Sequence, residues 1–215
     1  LLIFVQACES LLEVVDGLAT GSRTASTKAF VARSMTLGRA QHRDLQGVRP
    51  DGLERAARQA EEKTEAIPLA AELAALAMGC DMARVQTYAE IARSIGLLNQ
   101  AANDLVDLYG KRESDDLRAG KWTLPLVAHF EQSDAAQREE LVRLREALPG
   151  SLPRIRELLL AGGALTRVAQ LIERVRRGVH ERIRALGRTQ APIAMLGAHA
   201  DAIASRLYKL SEVDR

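Results

Sequence analysis

The chain has 215 residues, a formal net charge of +2 and only 3% aromatic residues, a length that fits one domain with a substantial core. A composition rich in Ala, Leu, Arg and Glu favours helix over sheet. Lys and Arg are dispersed among acids without a basic tract, which excludes the usual signature of a nucleic-acid binder.

The chain opens LLIFVQACESLLEVV, where Gln6, Glu9 and Glu13 interrupt the apolar run at helical spacing. The run falls short of the roughly 18 to 20 apolar residues a membrane span needs, and it has neither a basic leader nor a cleavage signature. A core helix over residues 1 to about 19, ended by Gly17 and Gly21, is the expectation. The chain begins at Leu1 rather than at methionine, which leaves room for a segment upstream. Ser22 to Ser26 offer a turn and an N-cap for a second helix, from about Thr27 to Gln46. Arg49, Pro50, Asp51 and Gly52 break that pattern.

A third helix is expected from about Gly52 to Met78, kinked by Pro68. Gly79 stops it, and Asp81 caps a fourth helix that runs to about Leu108. A loop from Tyr109 to Lys121 leads into a helix from about Thr123 to Glu131, and Asp134 starts another that ends at Leu148, Pro149 and Gly150. Further helices are expected near 151–161, 164–186 and 192–210. No stretch alternates with period two for long enough to make a strand, and the sequence has neither internal repeats nor low-complexity segments. The expected architecture is all-α, a helical bundle with a site in its central cavity.

Cys8 and Cys80 lack metal-ligand spacing, and a reducing, cytoplasmic setting is the default. His42, His129, His180 and His199 form no i, i+4 pair, which argues against structural zinc.

The chemistry concentrates between Gly96 and Leu126. Gln100, Asp104, Asp107 and Lys111 are spaced four, three and four apart, so a helix lines them up on one face. Their neighbours are almost all apolar, so the carboxylates are expected to look into a cavity. A buried carboxylate pair is costly unless cations or hydrogen bonds satisfy it. Acids near a helix C-terminus oppose the dipole, which argues against a purely structural role. The lysines that follow, Lys111 and Lys121, sit in a Gly-punctuated loop. Acids followed by such a loop suggest a divalent cation and a phosphate-like ligand. The plainer alternatives are surface acids and solvated loop lysines.

This stretch resembles the second aspartate-rich region of the trans-isoprenyl diphosphate synthases (polyprenyl synthetases). The family pattern runs G-x-x-F-Q-x-x-D-D-x-x-D, then a G-K loop, then D-x-x-x-G-K-x-T-x-P. It is matched by Gly96, Gln100, Asn103, Asp104, Asp107, Gly110, Lys111, Asp116, Gly120, Lys121, Thr123 and Pro125. Asn103 stands where the family has an aspartate and Asn99 where it has an aromatic. Upstream, Gln41 and Asp44 resemble a Gln-x-x-Asp pair that lines the cavity, with Gly38 permitting close helix packing. Lys63 and Thr64 resemble a Lys-Thr step whose lysine contacts a diphosphate. By spacing alone these would be a solvated polar face and an ordinary helical lysine paired with a neighbouring glutamate; their order along the chain carries the likeness, which covers roughly residues 30 to 130.

The resemblance implies an isoprenoid-synthase-like bundle that joins an allylic diphosphate to isopentenyl diphosphate. Mg²⁺ on Asn103, Asp104 and Asp107 would draw off diphosphate, which leaves a carbocation for the alkene to attack. Lys63, Thr64, Gln100 and Lys121 take catalytic roles, and Gln41, Asp44, Lys63, Lys111 and Lys121 bind the isoprenyl diphosphate substrates. The family is usually homodimeric; a heteromer is the variant. The family's first aspartate-rich motif, DDxxD, is not in this chain: the aspartates before Asn103 are Asp16, Asp44, Asp51 and Asp81, all isolated. Residues 1–215 are therefore expected to form a single all-α domain, N-terminally incomplete, or a member that has lost catalysis. The alternatives are a non-catalytic partner subunit of a prenyltransferase, a terpene synthase-like or peptide-prenylating relative, and a bundle without a ligand.

Overall fold

The structure, a computed structural model, describes residues 13, 17, 20–110, 115–187 and 191–209. The expected first helix and Lys111 lie outside the described residues. Among these residues there is no strand, and no helix is long and apolar enough to cross a membrane.

The first helix, α1 (Thr20–Leu45), passes straight through the Gly21 stop and the Ser22–Ser26 turn expected from sequence. Two effects override the local signals. The Thr27 and Thr36 hydroxyls donate to the carbonyls of Arg23 and Ala32, four residues back, so they are satisfied without leaving the helix. Ser26 is fully buried, and Ala25 packs on the small apolar cluster of Ala75, Leu76 and Val85. Packing therefore recruits this stretch into helix. Gly38 is exposed, and a Cβ added there would meet nothing, so it serves no close approach.

The single helix expected over 52–78 is two, α2 (Leu53–Lys63) and α3 (Ala66–Ala77). Pro68 has no N–H to give the Thr64 carbonyl, which an unbroken helix would require. That carbonyl instead accepts from Ile67, and the chain turns at Thr64–Glu65. Glu65 is buried in the break, held at 2.5 Å by Arg33 of α1 and at 3.4 Å by Arg93.

Helix α4 (Met82–Tyr109) is the axis of the fold. Asp81 caps it by accepting from the Arg84 backbone N–H, and no residue from Thr87 to Ala102 is exposed. It packs against α2, α3 and the two long C-terminal helices, α9 (Ala164–Ala185) and α10 (Ala191–Lys209). Between them run α5 (Asp115–Arg118), a single turn within the expected loop, then α6 (Leu124–Gln132), α7 (Ala135–Glu146) and α8 (Leu152–Ala161). Asp134 opens α7 with a capping box closed by Gln137. The largest apolar cluster gathers Ile91, Leu98, Leu126, Leu141, Ile155 and Val179 from five of these helices, all under 2% exposed.

Gly96 is required at the middle of α4. A Cβ there would sit 2.9 Å from the Thr64 Cβ and closer still to its hydroxyl, which is pinned by bonds to the Ala60 and Glu61 carbonyls. Gly→Ala in an exposed helix would stabilise by about 1 kcal/mol. Here overpacking wins, and Gly96→Ala is expected to destabilise by about 1–2 kcal/mol in urea unfolding. A double-mutant cycle with Thr64→Gly should return most of that loss.

Candidate functional site

Two helices meet where α1 ends and α2 ends. Arg43 and Asp44 in the last turn of α1 face Glu62 and Lys63 in the last turn of α2, and the charges cross-pair. Arg43 bonds Glu62, and Lys63 Nζ donates to Asp44 Oδ1 at 2.9 Å. The other oxygen of Asp44 lies 3.6 Å from Lys121 Nζ, which also donates to Asp116 Oδ1 at 2.6 Å. Asp44 thus sits between two ammonium groups. The hydrogen bond that Lys121 donates to Asp116, with Asp44 adding to the effect, holds the Lys121 ammonium above its ordinary range against the opposing effect of burial.

Asp104 faces the same place from α4 and is 4% exposed. Its Oδ1 accepts from Gln100 Nε2 at 2.7 Å, and its Oδ2 accepts from the Leu124 backbone N–H at 2.8 Å. The second bond satisfies an otherwise unpartnered donor at the start of α6. The Thr123 side chain, at the N-cap position itself, makes no capping bond. Burial pushes the Asp104 carboxyl up to about 6, against the lowering effect of these two bonds and of the Lys63 charge.

The acidic row is split. Successive helical residues point about 100° apart, and Asn103 is exposed while Asp104 is buried. Asp107 is half-buried and its Oδ1 accepts from the Asp115 N–H at 3.1 Å, toward the loop. Among the described residues no three His, Cys, Asp or Glu converge. Both Asp104 oxygens are engaged and Asp44 is held by lysines. These donors as arranged do not fit a shared Mg²⁺ on Asn103, Asp104 and Asp107.

Asp44, Lys63 and Asp104 line one cavity with Ala40, Arg43, Gln59, Trp122 and Leu124. Its volume is about 30 Å³, room for about two waters. Gln41 is exposed and lies outside this lining, and Thr64 is turned toward Gly96. The sequence motifs assigned no role to Arg43, Asp116 or Trp122, which the structure brings to this site. The Arg-Asp and Glu-Lys doublets, nineteen residues apart and opposite in sign, were a signal that could have found Arg43.

The sequence model of the family described as Polyprenyl synthetase matches residues 2–159. Among solved structures, the chain is similar to a decaprenyl diphosphate synthase from Rhodobacter capsulatus, at TM-score 0.75 and 19% identity over 86% of this chain and 60% of that one. It is also similar to a geranylgeranyl pyrophosphate synthase, at TM-score 0.77 and 17% identity over 91% and 64%. A third likeness is to a polyprenyl synthetase from Streptomyces coelicolor A3(2), at TM-score 0.75 and 22% identity over 95% and 63%. At these identities the likeness establishes the all-α fold, and the chain spans less than two thirds of the length of each. No curated protein matches the sequence.

The raised Asp104 carboxyl makes stability fall with pH. The folded state binds this proton more tightly than the unfolded chain does. The resulting stabilisation is therefore fully present below the ordinary value of 3.8 and lost as pH rises through about 6. That gap corresponds to roughly 3 kcal/mol. Asp104→Asn keeps the shape and the acceptor for Leu124 but cannot ionise. Urea unfolding from pH 4 to 7 should show the variant gaining roughly 2–3 kcal/mol on the parent over that range. A constant difference would remove Asp104 as the titrating group.

Proposed function

The chain belongs to the polyprenyl synthetase family, and on that premise we propose that it takes part in prenyl transfer from an allylic diphosphate to isopentenyl diphosphate. The cavity between α1, α2 and α4 is the place where diphosphate is held. The observation that carries the proposal is the convergence of Lys63 and Lys121 on the single carboxylate of Asp44, beside buried Asp104.

An ammonium is a compact point charge that exchanges one anion for another. An arriving diphosphate takes the place of Asp44 as partner of Lys63 and Lys121, and the displaced carboxylate makes room in a cavity otherwise too small for it. The same lysines then offset the charge that builds on diphosphate as it leaves. Gln100 and Asp104 position the start of α6, and through it Trp122 and Leu124 on the cavity wall. Residues 1–215 are read as one domain, supported by an apolar cluster that runs from Leu53 to Ala204. A dimeric working form rests on the family resemblance, and a cytoplasmic setting on the two cysteines without metal-ligand spacing.

A second reading, a non-catalytic partner subunit, is favoured by one observation: the Asp104 oxygens are committed to Gln100 and to a helix start. Together with the absence of DDxxD from these residues, it gives a clear expectation for turnover. This chain alone, supplied with dimethylallyl and isopentenyl diphosphates and Mg²⁺, should form little product. Robust product formation would show that the acids are sufficient and would end the second reading.

The diphosphate site is tested by calorimetric titration with inorganic pyrophosphate. Lys63→Ala and Lys121→Ala should each weaken binding by about tenfold or more. Asp44→Asn should tighten it, because a competing negative charge is gone. Weaker binding in Asp44→Asn, or no response to Lys63→Ala, would rule out the exchange.

A further inference from the structure

A second and larger cavity, of about 500 Å³, lies behind the loop that carries Lys121. Leu117, Val142, Leu148 and Pro149 form its apolar walls, and Arg118 and Arg145 bring cations to it. Glu146 is the acid among its lining residues and is exposed.

Arg145 is half-buried and lies over the Trp122 ring, 4.1 Å from its centre. Its Nη2 donates to the carbonyls of Gly120 at 2.7 Å and Lys121 at 3.1 Å, and its Nε is buried with no hydrogen-bond partner. Among the described residues no carboxylate forms an ion pair with it, and burial lowers its pKa without an acid to offset the effect. Two further guanidiniums repeat the pattern. Arg49 and Arg138 lie over Phe130, 4.1 and 5.2 Å from the ring centre, and they donate to backbone carbonyls of Pro50, Phe130 and Glu131. Trp122 and Phe130 meet edge to face at 5.4 Å. Arginines such as Arg33, Arg43 and Arg176 are neutralised by acids, whereas these three form no ion pair among the described residues and leave a local excess of positive charge around an aromatic pair. A guanidinium taken partly out of water without a counter-charge is a ready partner for an anion.

We propose that this cavity binds a small amphipathic anion, its phosphate or carboxylate head on Arg145 and Arg118 and its apolar tail along Leu117, Val142 and Leu148. The volume is within the range of small-molecule sites, which pair apolar walls with a few fixed polar groups. The site is distinct from the Asp44–Lys63 cavity and stands whether or not that cavity takes part in prenyl transfer. Because Arg145 holds the carbonyls of Gly120 and Lys121, an anion that draws on the guanidinium acts on the backbone carrying Lys121.

Trp122 is the one tryptophan of the chain, so its fluorescence reports on the contact with Arg145. Titration with hexyl phosphate or heptanoate should give a saturable change, and the tighter of the two names the head group. Hexanol and inorganic phosphate, each with half of the chemistry, should bind at least about tenfold more weakly. Arg145→Met should weaken binding by about tenfold or more. Val142→Glu, at a position 40% exposed and so tolerant of change, should do the same, while Lys63→Ala should leave it unchanged. A response that fails to saturate, that inorganic phosphate reproduces, that survives both cavity variants, or that is lost in Lys63→Ala would overturn the proposal.

Discussion

The arrangement depends on a carboxylate buried at the wall of a small cavity. Asp104 leaves α4, the axis of the bundle, and ends on the first backbone donor of α6. A charged group so placed is expensive, and the cost is offset by the helix start, by Gln100 and by the nearby lysine charge. The carboxylate in turn fixes where α6 begins. Trp122 and Leu124, the residues on either side of that start, are therefore fixed on the cavity wall. One side chain couples the packing of α4 to the shape of the site.

The cations around it are held in a balanced state. Asp44 occupies two lysines, and Asp116 occupies one of them again. Partly buried ammonium groups left without partners would bear a desolvation penalty, and acids of the same chain supply the counter-charge. Such pairs hold the site in shape. The small cavity volume is the geometric counterpart of that balance. On the far side of the Lys121 loop the balance fails: among the described residues Arg145 meets carbonyls and an indole but no acid. The contrast between neutralised lysines in one cavity and the un-neutralised Arg145 guanidinium beside the other is the main electrostatic feature of this end of the bundle.

Much of the helical order was legible because caps are local chemistry. Asp81 and Asp134 open helices by accepting backbone donors three residues on, and Gly79 ends one at positive φ; each signal lies within a single turn. The failures were also local signals, overruled from a distance. Gly21 and the serines after it read as a turn, but Ser26 is buried against another helix. Pro68 was read as a kink in one helix. Its missing donor instead parts two helices, at a point where Glu65 is captured by arginines of α1 and α4.

The sequence by itself determined the all-α class, most helix limits, the family, and the set of residues from which the site is drawn, because apolar periodicity, capping and motif spacing are properties of short stretches of chain. Only the tertiary structure decided how those residues divide. Spacing of three and four places Gln100, Asp104 and Asp107 on one broad face of α4, yet which of them is buried depends on what packs there. The start of α6 takes Asp104, the Asp115 backbone N–H takes Asp107, and Asn103 is left to solvent. The pairing of Asp44 with Lys63 and Lys121 likewise joins residues nineteen and seventy-seven positions apart, a relation between two helices and a loop that no single stretch of sequence contains.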